Sequence, residues 1–363
     1  MHKLPLTKIL LVLVLLFICG QPSISSSEAA KDSKTFNLSL AHFWPAVDVV
    51  ETIMVQGWAK EIEAATNGRV KIKSFPGGTL IAPQETYEGV VQGVVDIGVS
   101  VYAYTRGRFP VIETFILPGI GAKSSEVGSL AAMEAIKKFN PQELQDTKQL
   151  WTWGSGPMDL LSSIPIRKME DFRGVPLGVP GGKGADTLKA LGGSPVSMPV
   201  AEWYESLRRG VVKGGIVAVR GVDNFRLGEV TADYITFTPF FTQQLFFVVM
   251  NLDTWNSFPP DIQKIIAEVS ENFYPKYVPR LWDDENTKAV TELGKQKKVE
   301  YITFSDQEIK KCFDAVKPVQ YEHIDNLNSK GLPGEEILKT IIEITERLNK
   351  QYPDVSYKKV IAH

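Results

Sequence analysis

The sequence predicts an α/β chain built as two matching lobes, on three observations. The first is a helix–glycine–strand unit written twice, as YEGVVQGVVDIGVS over Tyr87 to Ser100 and YESLRRGVVKGGIVAVR over Tyr204 to Arg220. The two agree at Tyr87/Tyr204, Glu88/Glu205, Gly93/Gly210, Val94/Val211, Val95/Val212 and Gly98/Gly215. In each, a short amphipathic helix ends at a glycine, and an apolar run follows (Val94–Val101 or Val211–Val219) that is too short and too β-branched for a buried helix. A helix feeding a strand buried on both faces is half of a parallel α/β unit, and ligands gather at the C-terminal ends of such strands. Chance likeness of two such units is the competing explanation. The second observation is length: 363 residues exceed what one core usually serves. The third is that no low-complexity linker separates the halves, so the chain crosses between lobes more than once.

Taken in order, Phe36 to Ala41 alternates and reads as the first strand, running into His42, Phe43, Trp44 and Pro45. Val49 to Ala65 is an amphipathic helix stopped by Asn67-Gly68. Val70 to Phe75 is the second strand, and the first repeat copy delivers Tyr102 and Tyr104 just past its own strand. Phe109 to Pro118 holds two prolines and is no regular helix interior. Ser124 to Phe139 is helical, and Leu150 to Gly156 is a strand with Trp151 and Trp153 on one face.

Val175 to Val179 is a strand, and Pro180 to Gly184 leads into a helix over Ala185 to Leu191. Pro195 to Pro199, Tyr234 to Thr238 and Leu245 to Asn251 are further strands. From Asp261 the chain is helical to about Lys298, kinked or broken by Pro275 and Pro279. Val299 to Phe304 is a late strand, Ser305 with Glu308 makes a capping box, and Glu335 to Lys350 is a terminal amphipathic helix.

The N-terminus has a separate role. His2, Lys3 and Lys8 precede the apolar run Ile9 to Cys19, and small polar residues follow to Ala30. That pattern predicts a cleaved secretory leader over 1–29, cut after Ser27 or Ala29, and too short to span a bilayer. Bulky Ile18 argues against lipidation of Cys19. Export removes Cys19 and leaves Cys312 with no disulfide partner. Cys312 lies at helical spacing with Ile309, Phe313 and Val316, which marks a buried structural thiol. The exported chain is expected to be soluble, with no transmembrane span, in the periplasm.

Composition excludes more than it selects. Hydrophobic content of 44%, charged content of 23% and a net charge of −2 give no reason to expect nucleic acid or an anionic membrane as partner. The histidines (His2, His42, His323 and His363) have no ligand-like spacing, so no metal is expected. No catalytic triad or cofactor motif is visible. Gly178 to Gly184 lacks the first glycine and the Ser or Thr of a phosphate loop, although its glycines still leave backbone N–H groups free for an anion.

Phe43, Trp44, Tyr102, Tyr104, Trp153 and Phe241 fall at predicted strand ends or just beyond, which jointly favours an aromatic-lined cleft over core packing. Arg220 ends its apolar run where a parallel strand points its last side chain into the cleft. A surface salt bridge is the plain alternative to an always-charged fork for a carboxylate or sulfonate.

FPGGTL (75–80), PIRKMEDFRGVPLGVP (165–180), MPVAEWYESLRRGVV (198–212) and WNSFPPDIQKII (255–266) resemble the solute-binding subunits of tripartite ATP-independent periplasmic (TRAP) transporters. The resemblance runs in order from about Leu38 to Leu348. It implies a two-lobed periplasmic-binding-protein fold with crossing strands and a long lobe-spanning helix. Lobe I is expected over 36–157 and 245–282, and lobe II over 158–244 and 283–352.

It also implies capture of a small organic acid for a membrane permease, without enzymatic activity. The family's usual clamp arginine falls at Gly178, a second frequent arginine at Met158, and an acidic position at Lys213. Arg220 is therefore expected to take over the anion, with the Gly181–Gly184 backbone assisting. The expected site is Arg220, Phe43, Trp44, Tyr102, Trp153, Gly178, Gly181, Tyr204 and Phe241. The expected ligand is a monocarboxylate or sulfonate, aromatic ones included. A sensor serving a receptor kinase, a C4-dicarboxylate binder, and an exported enzyme using Lys213 or Asp96 as base are the alternatives.

Overall fold

Among the residues described, 34–361, eleven strands sort into two sheets in this computed structural model. The expected leader over 1–29 lies outside them. In chain order the strands are β1 (Phe36–His42), β2 (Val70–Phe75), β3 (Ile97–Val101), β4 (Thr147–Gly154), β5 (Asp159–Ser162), β6 (Pro176–Val179), β7 (Ser194–Ser197), β8 (Gly214–Val217), β9 (Tyr234–Phe237), β10 (Leu245–Asn251) and β11 (Glu300–Thr303). The first sheet runs β2-β1-β3-β10-β4 and the second β7-β6-β8-β5-β9-β11. Read from these edges, each begins with three parallel strands and continues with an antiparallel one. The two lobes therefore share one plan, and the repeated units occupy equivalent places in it as β3 and β8.

The helices are α1 (Gln56–Ala65), α2 (Thr86–Val91), α3 (Pro110–Glu113), α4 (Ser125–Phe139), α5 (Gly182–Ala190), α6 (Trp203–Arg208), α7 (Gly221–Asn224), α8 (Leu252–Ser257), α9 (Pro260–Tyr277), α10 (Leu281–Gln296), α11 (Asp306–Ser329), α12 (Gly334–Gln351) and α13 (Lys358–Ile361). Helices α2 and α6 end alike, at Gly93 (φ 72°) and Gly210 (φ 71°), a left-handed conformation that glycine adopts without a Cβ penalty. The next residues, Val94 and Val211, are 59% and 53% exposed. Each strand thus begins three residues later than its apolar run suggests, because hydrophobicity alone does not separate a turn valine from a strand valine.

The chain crosses between sheets after β4, β9 and β10. Two of these crossings run side by side and stay bonded, Ser155 N donating to Gln244 O (2.9 Å) and Met158 N to Thr242 O (3.0 Å). Strand β5 is central to the second sheet yet carries only the four residues DLLS, too few for a periodic signal. The expected long helix after Pro260 is two helices, α9 and α10, separated around Pro279, while Pro275 stays inside α9. The segment ahead of α1 is a π-helical turn over Val50–Val55.

Ser305 caps α11 as expected by accepting from Glu308 N, but the Glu308 carboxylate accepts from Met169 N instead of closing the box. Helix α12, assigned to the second lobe in the sequence reading, packs on α4 of the first lobe through Ile337, Ile341, Ile344 and Leu348. Cys312 is fully buried among Phe172, Phe304 and Val316, and burial pushes its thiol up to about 12, far from nucleophilic use.

His323 on α11 is buried against Thr114 Oγ1 (2.9 Å). Burial, reinforced by Lys183, lowers its pKa to about 4. A base depressed below its unfolded value, about 6.5, contributes stability that is complete above that value and is lost as pH falls toward 4. His323→Gln is expected to lose less stability than the parent between pH 6.5 and 4, by about 3 kcal/mol at most. Urea melts of both proteins at each pH measure the difference.

Candidate functional site

The ends of β1, β3, β4 and β8 face one another across the crossing segments. Between them lies a cavity of about 40 Å³ lined by Phe43, Trp44, Val101, Tyr104, Ser155, Met158, Arg220, Asn224, Phe225, Gln244, Phe246 and Trp282, among others. The aromatic wall is continuous. Phe43 stacks on Trp44 at 3.9 Å, Trp44 meets Phe246 at 5.6 Å, and Phe225 from the second lobe lies parallel to Phe43 at 6.3 Å.

Arg220 supplies the charge. It is 3% exposed, and its guanidinium sits 4.4 Å above the Trp282 ring. Arg220 Nη2 donates to Asp48 Oδ2 at 2.8 Å, and Asn224 Nδ2 donates to the same oxygen at 2.8 Å. Asp48 Oδ1 accepts from Val50 N (2.8 Å), so the carboxylate is fixed from both sides. Asp48 leaves β1 in the first lobe and Arg220 follows β8 in the second, so this buried pair bridges the lobes. Among the described residues, Arg220 Nε and Nη1 have no hydrogen-bond partner.

Other contacts bring the same edges together. Tyr104 Oη accepts from Val200 N (3.1 Å), and burial raises the pKa of its phenol, which stays neutral. Arg106 pairs with Asp186 at 2.9 Å nearer the surface. Behind Trp282, Asp283 accepts from Ser125 N and Glu126 N at the start of α4 (2.8 and 3.0 Å). Burial pushes its pKa up to about 7 against those two N–H groups. Among the described residues no cluster of acids, histidines and cysteines could hold a metal.

Of the expected site residues, Phe43, Trp44 and Arg220 line the cavity together. Trp153 lies one layer behind, stacked on Phe246 at 4.8 Å. Gly181 precedes α5, beside the lining Pro180, with Ala103 O close to where its Cβ would stand. Tyr102 faces away into the first lobe's other core, its hydroxyl at Thr152 Oγ1 (2.9 Å). Phe241 packs on Phe240 in the second lobe's core, and Tyr204 bonds Glu229 at the surface.

Gly178 does not face the cavity. A Cβ there would stand 3.0 Å from the Trp203 indole, which also covers Gly215. Asp48, Asn224, Gln244 and Trp282 were not singled out from sequence. Only Gln243-Gln244 carried a signal, as a polar pair inside the apolar run from Phe240 to Met250.

Two lobes with one plan, joined by paired crossings around a buried cation and an aromatic cavity, define a ligand-capturing binding protein of the TRAP type. The chain belongs to the bacterial extracellular solute-binding protein family 7, which it matches over residues 40–326. Members of that family are extracytoplasmic transport proteins and not enzymes.

A marine metagenome TRAP solute-binding protein specific for aromatic acids, complexed with 3-hydroxybenzoate, is 25% identical, with TM-score 0.81 over 87% of this chain and 99% of that one. A TRAP solute-binding protein of Bordetella bronchiseptica with bound mandelate is 25% identical, with TM-score 0.77 over 86% and 99%. A monocarboxylate 2-oxoacid-binding periplasmic protein of Nostoc is 25% identical over 68% of this chain and 68% of its own. Among the described residues no helix is long and apolar enough to cross a membrane.

Asp48→Ala would leave the Arg220 charge buried without its counter-ion, and is expected to cost about 3–5 kcal/mol of unfolding free energy. The pair Asp48→Ala/Arg220→Met removes both charges and should recover most of that loss. Urea denaturation of the ligand-free variants measures both effects.

Proposed function

We propose that this chain captures a small organic anion, a monocarboxylate or sulfonate with aromatic acids in its range, between the two lobes and delivers it to a membrane permease from the periplasm. One observation carries the reading: Arg220 is buried against an aromatic cavity between the lobes with two guanidinium nitrogens unpartnered. A desolvated guanidinium with free N–H groups favours an acceptor-only anion, through charge-assisted bonds.

Asp48 offsets the arginine's charge, so further donors have to share the load. Trp282 Nε1 is unpartnered among the described residues, and the first N–H groups of α5 begin at Gly182, two residues after the lining Pro180. Among the described residues, Arg220 is the one cation that lines the wall, which suits one anionic group better than the two of a dicarboxylate. Relatives point the same way, since the aromatic-acid and mandelate binders are among the similar structures.

Capture works by population shift. A solute that touches walls from both lobes gains those contacts only when they are closed, so it stabilises the closed state by that difference. A permease then reads the closed form.

Benzoate, 3-hydroxybenzoate, mandelate and phenylacetate are expected to raise the melting temperature more than succinate in a thermal-shift series, as mass action requires of a ligand for the native state. Arg220→Ala should weaken the best of them by about tenfold to a hundredfold. The Asp48→Ala/Arg220→Met protein serves as a variant without an orphaned charge. Affinity undiminished in both variants overturns the role of Arg220, and an unmoved melting temperature across the series overturns anion capture.

A further inference from the structure

The cavity wall holds more than donors. Six of its buried polar atoms have no partner among the described residues: Arg220 Nε and Nη1, Trp282 Nε1, Gln244 Nε2 and Oε1, and Asn224 Oδ1. An anionic group consists of acceptors, so it can satisfy the arginine, the indole and the amide nitrogen. It can do nothing for the two amide oxygens.

Neither oxygen is an accident of how an amide is drawn. Gln244 is 3% exposed and unpartnered at both ends, so whichever way its amide is turned it offers one donor and one acceptor. Asn224 is fixed. Its Nδ2 donates to Asp48 Oδ2 at 2.8 Å, and an ionised carboxylate only accepts, so the other end must be the oxygen. Ser155, whose hydroxyl accepts from Gln244 N, gives its own proton to Gly156 O. A buried acceptor left without a donor is costly, and a site built around such acceptors discriminates strongly against analogues that lack the matching hydroxyl.

We infer that the solute is a hydroxy acid, whose anionic group meets Arg220 and Trp282 while a hydroxyl on the same molecule donates to the amide oxygens of Gln244 and Asn224. These two residues then set specificity, and Arg220 sets the requirement for an anion. The inference rests on the organic-anion reading above and narrows it. It also gives the paired crossing a use, since Gln244 is carried by the segment whose backbone accepts from Ser155.

The test is titration calorimetry of the whole protein with matched probes: mandelate against phenylacetate, 3-hydroxybenzoate against benzoate, and lactate against propionate. The hydroxylated member of at least one pair is expected to bind about tenfold tighter or more. Gln244→Leu, similar in volume and without the amide, should bring that ratio toward one by weakening the hydroxylated member. Ratios near one, or favouring the deoxy member, in every pair of the unmodified protein overturn the hydroxyl requirement while leaving anion capture standing. A ratio unchanged in a folded Gln244→Leu protein removes Gln244 from the role. Binding of none of the six acids overturns both the capture reading and this one.

Discussion

The interaction on which the rest depends is the buried pair of Asp48 and Arg220. Each residue belongs to a different lobe, and both are buried where the lobes meet. Under the proposed capture, closing the lobes and desolvating the two charges go together. Taking a guanidinium and a carboxylate out of water costs several kcal/mol per ion, and their attraction at short range returns a similar amount. The near-cancellation suits a capturing protein. A strongly favourable pair would shut the lobes without a solute, and a lone buried arginine would hold them open. With the pair close to balance, the solute's contacts decide the equilibrium.

Capture by closure, as proposed above, needs a hinge that keeps register. The crossing segments provide one, because the bonds Ser155–Gln244 and Met158–Thr242 continue an antiparallel ladder from the first sheet toward the second. Their backbone groups are satisfied within the crossing, so the polar side chains there are free to face the cavity. Helix α10 adds a fixed wall, with Asp283 tied to the start of α4 and Trp282 placed under the arginine. Cation, amide and indole thus come from three separate segments that meet at one cavity.

Much of the fold was legible because its signals are local. The repeat, the glycine stops at Gly93 and Gly210, the Ser305 cap and the apolar strands each lie within a dozen residues. What failed was information that the local pattern does not contain. DLLS is too short to show a period, and Val94 and Val211 are apolar residues placed at exposed turns. At the site, Phe43, Trp44 and Arg220 were legible from their place at strand ends. Tyr102 and Phe241 had the same credentials and face the cores instead, since a residue just past a strand can turn either way. Asp48 had no signal at all: its partner is 172 residues away, and no spacing rule connects them.

The position of the cation has its own logic. The resemblance to TRAP binding subunits places an arginine at 178, where this chain has glycine. Gly178 and Gly215 are register partners on the neighbouring strands β6 and β8, and one indole, Trp203, covers both. A side chain at 215 would collide with that ring and one at 178 would press on it, so the two glycines and the tryptophan form one packing unit. Trp203 in turn donates to Met198 O, which ties it to the loop after β7. An arginine at 178 would have to push that indole aside. Beyond the adjoining strand, Arg220 stands three residues past the end of β8, at the start of α7. There the guanidinium meets Trp282 instead of Trp203, and faces a carboxylate from the opposite lobe. There it bridges the two lobes, which an arginine held within one sheet would not do.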